Sequence, residues 1–165
     1  MFVQAAKLTG CNVIAVIKHE SQGTAAKRFG ADDVVNISKV PDAVEAVRRI
    51  TNGKGLDYVL ECSGAPTALN EAMKMVNRGG RVCLAAFPHE PAMVDIAHIV
   101  RNNIYLYGIR GEGQSAVREA ASLLAQGKYD PSPIHTHTFP FEQLPEAMRY
   151  AREKVDGAIK VVVKM

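Results

Sequence analysis

The residues best suited to bind a ligand follow short apolar runs at four places in the chain. They are Ile17-Lys18, Cys62-Ser63-Gly64, Ala85-Ala86-Phe87 and Arg110-Gly111. Because ligands of parallel sheets bind outside the carboxyl ends of the strands, all four groups are expected along one such edge. Small residues and glycine there leave room for a planar ring to approach backbone amides. Each group alone also fits an ordinary turn, but their coincidence on one edge favours a binding site.

Three other groups of residues could bind a metal or act in catalysis, but their sequence context argues against both roles. His135-Thr136-His137 places two histidines on a predicted strand at a spacing that could chelate a metal. Ser63 precedes a glycine but lacks the Gly-x-Ser-x-Gly context of an activated serine. Glu61 is interpreted as a strand-end carboxylate that bonds a neighbouring backbone amide. The sequence therefore predicts no catalytic residue and no metal ligand.

Strand-like and helical stretches alternate along the part of the sequence that contains these groups. The predicted strands are 13–16, 34–37, 57–61, 81–86 and 104–109, and the predicted helices are 1–8, 23–29, 41–51, 68–76 and 94–101. The alternation predicts an α/β fold with a doubly wound parallel sheet and helices on both faces. The double nucleotide-binding repeat has six strands in the order 3-2-1-4-5-6, and the first, central one is missing here. Unpaired edges at that gap predict closure by re-pairing or by a second chain, hence a homodimer.

The composition changes after residue 113. A predicted helix at 115–127 is followed by a strand at 137–141, a helix at 141–154 and a strand at 158–163. We therefore expect a nucleotide-binding domain at 1–113 and a β-α-β tail at 114–165. Apolar side chains in the tail (Phe139, Phe141, Leu144 and Met148) need a cover, which again favours self-association.

Composition excludes several classes of protein. The 165 residues are 47% apolar and 22% charged with a net charge of +3, which is ordinary for a globular domain. No run of basic residues exceeds two, so nucleic-acid binding is not expected. No apolar run is long enough for a membrane span, and no signal peptide is visible. Three cysteines without a paired spacing are interpreted as small buried residues in a reducing cytoplasm.

Five segments together carry a resemblance that covers essentially the whole chain. They are FVQAAKLTG, AKRFGADDVVN, GLDYVLECSGAPTALNEAMKMVNRGGRVCLAAF, GIRGEG and FPFEQLPEAMRYAREKVDGAIKVVV. In this order they resemble the C-terminal, cofactor-binding part of the zinc-type medium-chain alcohol and polyol dehydrogenases. The resemblance implies a Rossmann-like fold and hydride transfer between an alcohol and NAD(P). In that family a Gly-x-Gly-x-x-Gly turn precedes a helix like 2–8, and this sequence contains neither that turn nor its strand.

The resemblance implies roles for residues at matching positions. Cys62-Ser63 and Ala85-Ala86-Phe87 would flank the nicotinamide ring. The backbone of Ile109-Arg110-Gly111 would hold the carboxamide, and Lys160 would reach the pyrophosphate. The family's catalytic zinc is held by an upstream domain that this sequence lacks, so little activity is expected from these residues alone.

The residue after the first predicted strand bears on which cofactor is bound. The family usually has an acid there that bonds the adenosine ribose, whereas Ile17 stands at that position, followed by Lys18. Isoleucine cannot accept the 2′-hydroxyl, and a lysine can pair with a 2′-phosphate. NADP is therefore favoured over NAD, unless the strand has lost its ligand altogether.

Two other classes of protein are weighed against a dehydrogenase. The chain could be a non-catalytic fold remnant that self-associates or binds a partner, since each candidate position also fits a turn or an exposed strand. The segment NRGGRVCL resembles a methyltransferase turn and strand as well. A methyltransferase would need an acidic strand end and a Gly-rich first loop, and neither is present.

Overall fold

The computed structural model describes residues 1–88, 90–111 and 114–165. The predicted domain boundary after residue 113 lies outside the described residues, as does His89. The helices are α1 (Phe2–Leu8), α2 (Glu20–Arg28), α3 (Ala43–Ile50), α4 (Ala68–Met75), α5 (Ile96–Asn102), α6 (Gln114–Ala125) and α7 (Leu144–Glu153). The strands are β1 (Ile14–Ile17), β2 (Asp33–Asn36), β3 (Leu56–Glu61), β4 (Val76–Leu84), β5 (Tyr105–Gly108), β6 (His135–Pro140) and β7 (Lys160–Lys164). This order confirms the predicted α/β alternation and the β-α-β tail.

The chain divides into two compact units. Unit 1 contains 1–34 and 117–165, and unit 2 contains 35–116. Within the described residues, no helix is both long and apolar enough to cross a membrane.

Unit 2 is built on the three-stranded sheet β3-β4-β5, in which both strand pairs are parallel. Its core contains Met73 of α4, Val82 of β4 and Ile104, with Leu84 and Ile99 packed against them. Side-chain caps begin two of the helices: Asp42 accepts from the Glu45 amide at 3.0 Å, and Asp95 accepts from the His98 amide at 2.9 Å.

Strand β4 is longer than the sequence predicted. The predicted strand starts at residue 81, whereas β4 begins at Val76 and pairs there with Leu56. The ladder is irregular between this pair and the next, Tyr58 with Arg81. Gly79 has φ +77°, a left-handed conformation that glycine adopts without strain, so the chain can bulge here and still return to the ladder.

Unit 1 contains the tail sheet, in which β6 and β7 pair in parallel and α7 packs on both strands. Polar contacts link its two chain segments. Gln4 Nε2 donates to the Asp130 carbonyl at 2.6 Å, and Gln4 Oε1 accepts from the Asp130 amide at 2.9 Å. Within the first segment, Lys7 Nζ lies 2.9 Å from Asp32 Oδ2, and the same carboxyl oxygen accepts from the Val13 amide at 2.7 Å.

The strands after α1 form two sheets, β1-β2 and β3-β4-β5. Among the described residues these two sheets stay separate, so the predicted re-pairing of strands across the gap is not observed. Helix α6 begins at Gln114, one residue before the predicted helix, and none of its described residues is buried. The predicted burial of the three cysteines is partly wrong. Of the cysteines only Cys83 is buried, because Cys11 and Cys62 lie in exposed turns after α1 and β3.

Candidate binding site at the carboxyl ends of β3, β4 and β5

The last residues of the three strands of unit 2 stand side by side. Glu61 pairs with Leu84, and Leu84 pairs with Gly108. The ladder continues one step further, since the Ala85 amide donates to the Glu61 carbonyl at 2.8 Å and the Ile109 amide donates to the Leu84 carbonyl at 3.0 Å. Three of the four predicted groups therefore leave the sheet at one edge: Cys62-Ser63-Gly64, Ala85-Ala86-Phe87 and Arg110-Gly111.

Glu61 organises the first of these turns. It is the one charged residue among the buried polar side chains of the described chain, at 8% exposed. Its Oε1 accepts from the Ser63 amide at 2.7 Å, from Ser63 Oγ at 2.5 Å and from the Gly64 amide at 3.1 Å. The predicted strand-end carboxylate bonded to a neighbouring amide is thereby confirmed.

Gly64 brings the first turn against the second. Its φ is +66°, and a Cβ added there would lie 2.9 Å from the Phe87 carbonyl oxygen and 3.3 Å from the Phe87 carbonyl carbon. Both the conformation and the close approach require glycine at this position. The turns after β3 and β4 consequently touch through their backbones.

The remaining residues of the edge leave it open. Ala85 and Ala86 are half-buried, whereas Phe87, Arg110 and Gly111 are exposed. A Cβ added at Gly111 would meet no atom within 4 Å. Small side chains thus leave space beside a framework of backbone groups, which is the donor and acceptor set that a planar amide-bearing ring needs.

Cys62 presents a thiol at this edge, and its reactivity is low. Desolvation raises the pKa of the Cys62 thiol, and the negative charge of Glu61 raises it further. Its Sγ lies 3.6 Å from the Leu60 carbonyl, the acceptor for the thiol proton. The thiol is therefore a neutral contact group at neutral pH and a poor nucleophile.

The two predicted lysines lie in unit 1. Lys18 is exposed and directly follows β1, and its backbone amide donates to Gln22 Oε1 at 3.1 Å. Lys160 is exposed at the first position of β7, where it pairs with His135. Its carbonyl accepts from Thr136 Oγ1 at 3.2 Å.

The histidines of the tail have separate neighbours. His135 Nε2 lies 2.8 Å from Thr138 Oγ1, and the His137 ring meets the Tyr150 ring edge-on at 5.1 Å between centroids. Across the part of the chain that the structure describes, no three histidine, cysteine or acidic side chains form a group able to hold a metal. The described residues thus do not fit a zinc ion.

A tyrosine pair on the same sheet was not predicted. The Tyr58 and Tyr107 hydroxyls are hydrogen-bonded, with the rings edge-on at 6.4 Å. Burial raises the pKa of Tyr58, and the bond to Tyr107 raises it further. Tyr58 aligns with Tyr105 through Arg81, and Tyr107 lies two residues further on the same face. The alternation of tyrosines at 105 and 107 was a signal for this face.

The parallel strands and the helices between them define an α/β dinucleotide-binding fold. Residues 1–126 match the family model described as zinc-binding dehydrogenase, and the chain belongs to that family as its cofactor-binding part.

Relatives and solved structures agree on this family. L-Threonine 3-dehydrogenase of Bacillus licheniformis is 33% identical over 165 residues, covering 98% of this chain and 47% of the relative. Sorbitol dehydrogenase of Bacillus subtilis is 33% identical, covering 99% of this chain and 46% of the relative.

Solved structures share the fold. The crystal structure of an NAD-dependent alcohol dehydrogenase has a TM-score of 0.85 at 30% identity, covering 99% of this chain and 46% of that one. 2R,3R-Butanediol dehydrogenase of Bacillus subtilis shares the fold, with a TM-score of 0.87 at 24% identity over 99% and 46%. The chain spans about half the length of the curated relatives it matches.

Proposed function

We propose that this chain binds a nicotinamide dinucleotide at the carboxyl ends of β3, β4 and β5, as part of a dehydrogenase that moves hydride between an alcohol or polyol and NAD(P). The observation that carries the proposal is the in-register edge at Glu61, Leu84 and Gly108, followed by three turns of small residues. When bound, the nicotinamide ring supplies the carbon that accepts or gives the hydride. The chain's own residues bind and orient that ring.

The division of roles follows from the positions of the turns. Cys62-Ser63 and Ala85-Ala86-Phe87 are assigned to the two sides of the nicotinamide ring. Backbone groups of Ile109-Arg110-Gly111 are assigned to its carboxamide, because no side chain at Gly111 obstructs them. Lys160 is assigned to the pyrophosphate, where its ammonium would neutralise phosphate charge.

Lys18 supports NADP as the preferred form. It is exposed directly after β1, where an acid would bind a free 2′-hydroxyl. Ile17 offers no acceptor for that hydroxyl, and an ammonium one residue on favours a 2′-phosphate.

Calorimetry with NADP, NADPH, NAD and NADH tests both the dinucleotide site and the preference for NADP. We expect binding of the phosphorylated pair to be at least about tenfold tighter, since each charge-assisted phosphate contact contributes roughly 1.5–3 kcal/mol. Lys18→Glu should abolish this difference, whereas Lys39→Glu, a change of charge at another exposed lysine, should preserve it. Absence of binding of all four dinucleotides at millimolar concentration would reject the cofactor site.

A homodimer is proposed on separate grounds. The sheets β1-β2 and β3-β4-β5 each have edge strands, and edge strands recruit further strands. In the tail, Phe141 is 55%, Leu144 is 40% and Met148 is 64% exposed. Light scattering should give twice the chain mass at micromolar concentration, and a monomer across the concentration range would contradict the dimer.

The same exposed side chains favour a second candidate function, a self-associating or partner-binding module without catalysis. Calorimetry separates the two candidates, because such a module would dimerise but bind no dinucleotide. We also propose a cytoplasmic location, which the free thiols of Cys11, Cys62 and Cys83 support.

A further inference from the structure

We infer that Glu61 is a positioning residue for the nicotinamide ring: its buried carboxylate fixes the turn after β3 against the turn after β4, so that both face the ring in one arrangement. The inference rests on the proposed dinucleotide site and deepens it. It assigns to one residue the arrangement of two turns, the first held by its side chain and the second by its backbone carbonyl.

The burial of Glu61 is the first observation. A carboxylate at 8% exposure is costly unless its oxygens are satisfied. Among the described residues no lysine or arginine forms an ion pair with it, and its partners are instead the donors of the next turn. The backbone amides of Ser63 and Gly64 and the Ser63 hydroxyl all point at it, and the Gly64 amide also reaches Oε2 at 3.2 Å. Charge-assisted bonds of this kind are stronger than neutral ones, so the turn is held tightly although it faces solvent.

The hydroxyl of Ser63 is oriented by the same contact. It donates its single proton to Glu61 and accepts from the Ala65 amide at 3.2 Å. A hydroxyl has one donor and two acceptor positions, so only one acceptor position remains for a ligand. Glu61 therefore determines that Ser63 offers an acceptor, and not a donor, to the group bound at the edge.

Glu61 also holds the second turn. Its backbone carbonyl accepts from the Ala85 amide at 2.8 Å, while the turn that its side chain fixes lies against Phe87 at Gly64. Main chain and side chain of one residue thus hold the two turns assigned to opposite sides of the ring. A small displacement of either turn would change the space between them.

A purely structural role would make a different prediction from a positioning role. Loss of a structural residue would weaken every ligand of the chain together. Loss of a residue that positions the ring should weaken only ligands that contain the ring. The adenosine part of the cofactor, without nicotinamide, is therefore the discriminating probe.

The experiment compares NADPH with 2′-phospho-ADP-ribose, and NADH with ADP-ribose, by calorimetry on the full chain. Glu61→Gln replaces an acceptor oxygen with an amide group and removes the charge. We expect it to weaken the nicotinamide-bearing ligand about tenfold, a loss of roughly 1.4 kcal/mol, and to leave its ring-free partner within about twofold. Ser63→Ala, which removes only the hydroxyl contact, should give a smaller loss in the same direction. The control is Glu45→Gln, which alters an exposed carboxylate of α3 and should change neither ligand.

Each outcome bears on one statement. Equal weakening of both ligands by Glu61→Gln, or no change in either, overturns the positioning role while leaving the site intact. If Glu61→Gln does not fold, Glu61→Asp, which keeps the charge but shortens the side chain, replaces it in the same comparison. If the unaltered chain binds 2′-phospho-ADP-ribose or ADP-ribose but gains nothing from nicotinamide, the positioning role is rejected. If it binds none of the four ligands, the proposed function itself fails.

Discussion

The parallel sheets β3-β4-β5 and β6-β7 are stabilised in different ways. In unit 2, β3-β4-β5 has a packed core, with Met73 at 1% and Val82 at 0% exposed. In unit 1, β6-β7 packs on α7, where the Phe139 ring meets the Tyr150 ring edge-on at 5.0 Å between centroids, while Phe141, Leu144 and Met148 stay exposed. The proposed ring-binding edge therefore belongs to the sheet whose geometry is fixed by close packing, which suits a site that must keep three turns in register.

Unit 1 depends more on polar contacts between distant segments. Gln4 bonds both backbone groups of Asp130, and the Tyr129 hydroxyl donates to the Met1 carbonyl at 2.5 Å. Exposed hydrogen bonds contribute little each, so this unit should open more easily than unit 2.

The largest effect is expected in the core of unit 2. Met73→Ala removes a fully buried side chain and should lower the free energy of unfolding by about 2–5 kcal/mol. Met148→Ala in α7 removes an exposed side chain and should change it by at most about 0.5 kcal/mol at a concentration where the chain is monomeric. Urea denaturation measures both, and equal effects would remove the contrast between the two sheets.

Gly64→Ala should have an intermediate effect. The added Cβ meets the Phe87 carbonyl oxygen at 2.9 Å in a backbone at φ +66°. We expect a loss of roughly 1–3 kcal/mol in stability and weaker dinucleotide binding. Gly127→Ala is the matched control, since Gly127 has the same φ of +66° but no atom within 4 Å of an added Cβ. Equal losses would show that conformation alone, and not contact between the turns, requires glycine.

A smaller effect concerns the pH dependence of unit 1. The bond from Lys7, followed by that from the Val13 amide, lowers the pKa of Asp32 below its usual value. Because the pKa is depressed in the folded state, the contribution is present above the unfolded pKa of roughly 4 and is lost as the pH falls through the folded one. Asp32→Asn should therefore flatten the acid limb of the stability profile below about pH 4. An unchanged acid limb in denaturation profiles would contradict this contact.

The smallest effect is kinetic and leaves stability unchanged. Since desolvation and then Glu61 raise the pKa of the Cys62 thiol, less thiolate is present at neutral pH. Alkylation of Cys62 by iodoacetamide should be slower than that of glutathione at pH 7.5, with its rate rising at higher pH than for the free thiol. Peptide mapping by mass spectrometry resolves this site from Cys11, and faster reaction at Cys62 would reject the raised pKa.

The sequence predicted which helices and strands form better than it predicted their first and last residues or their burial. β-Branched runs placed β1 within one residue, because parallel strands need such runs. The start of β4 at Val76 was missed, since two glycines in a row indicate a turn and the pairing with Leu56 is not local. Helix α6 was predicted as an element, but a sequence pattern does not show whether a partner covers its apolar residues.

The position of the candidate site could be predicted from the sequence, but the contacts within it could not. Its position followed from the rule that ligands bind at strand carboxyl ends, and Glu61 was identified as a strand-end carboxylate. The contact of Gly64 with Phe87 and the Tyr58–Tyr107 bond depend on register between strands that are far apart in sequence. Single-strand patterns carry no information on such registers.

The bond between Gln4 and Asp130 has a consequence for the order in which the chain folds. It joins segments on either side of unit 2, so unit 1 is discontinuous in sequence whereas unit 2 is continuous. During synthesis unit 2 is complete when residue 116 has emerged, whereas unit 1 also needs residues 117–165. Contacts of such high sequence separation also form slowly, because the intervening loop must first be closed. Unit 2 should therefore gain hydrogen-exchange protection first, and α1 only after its partner Asp130 has been made.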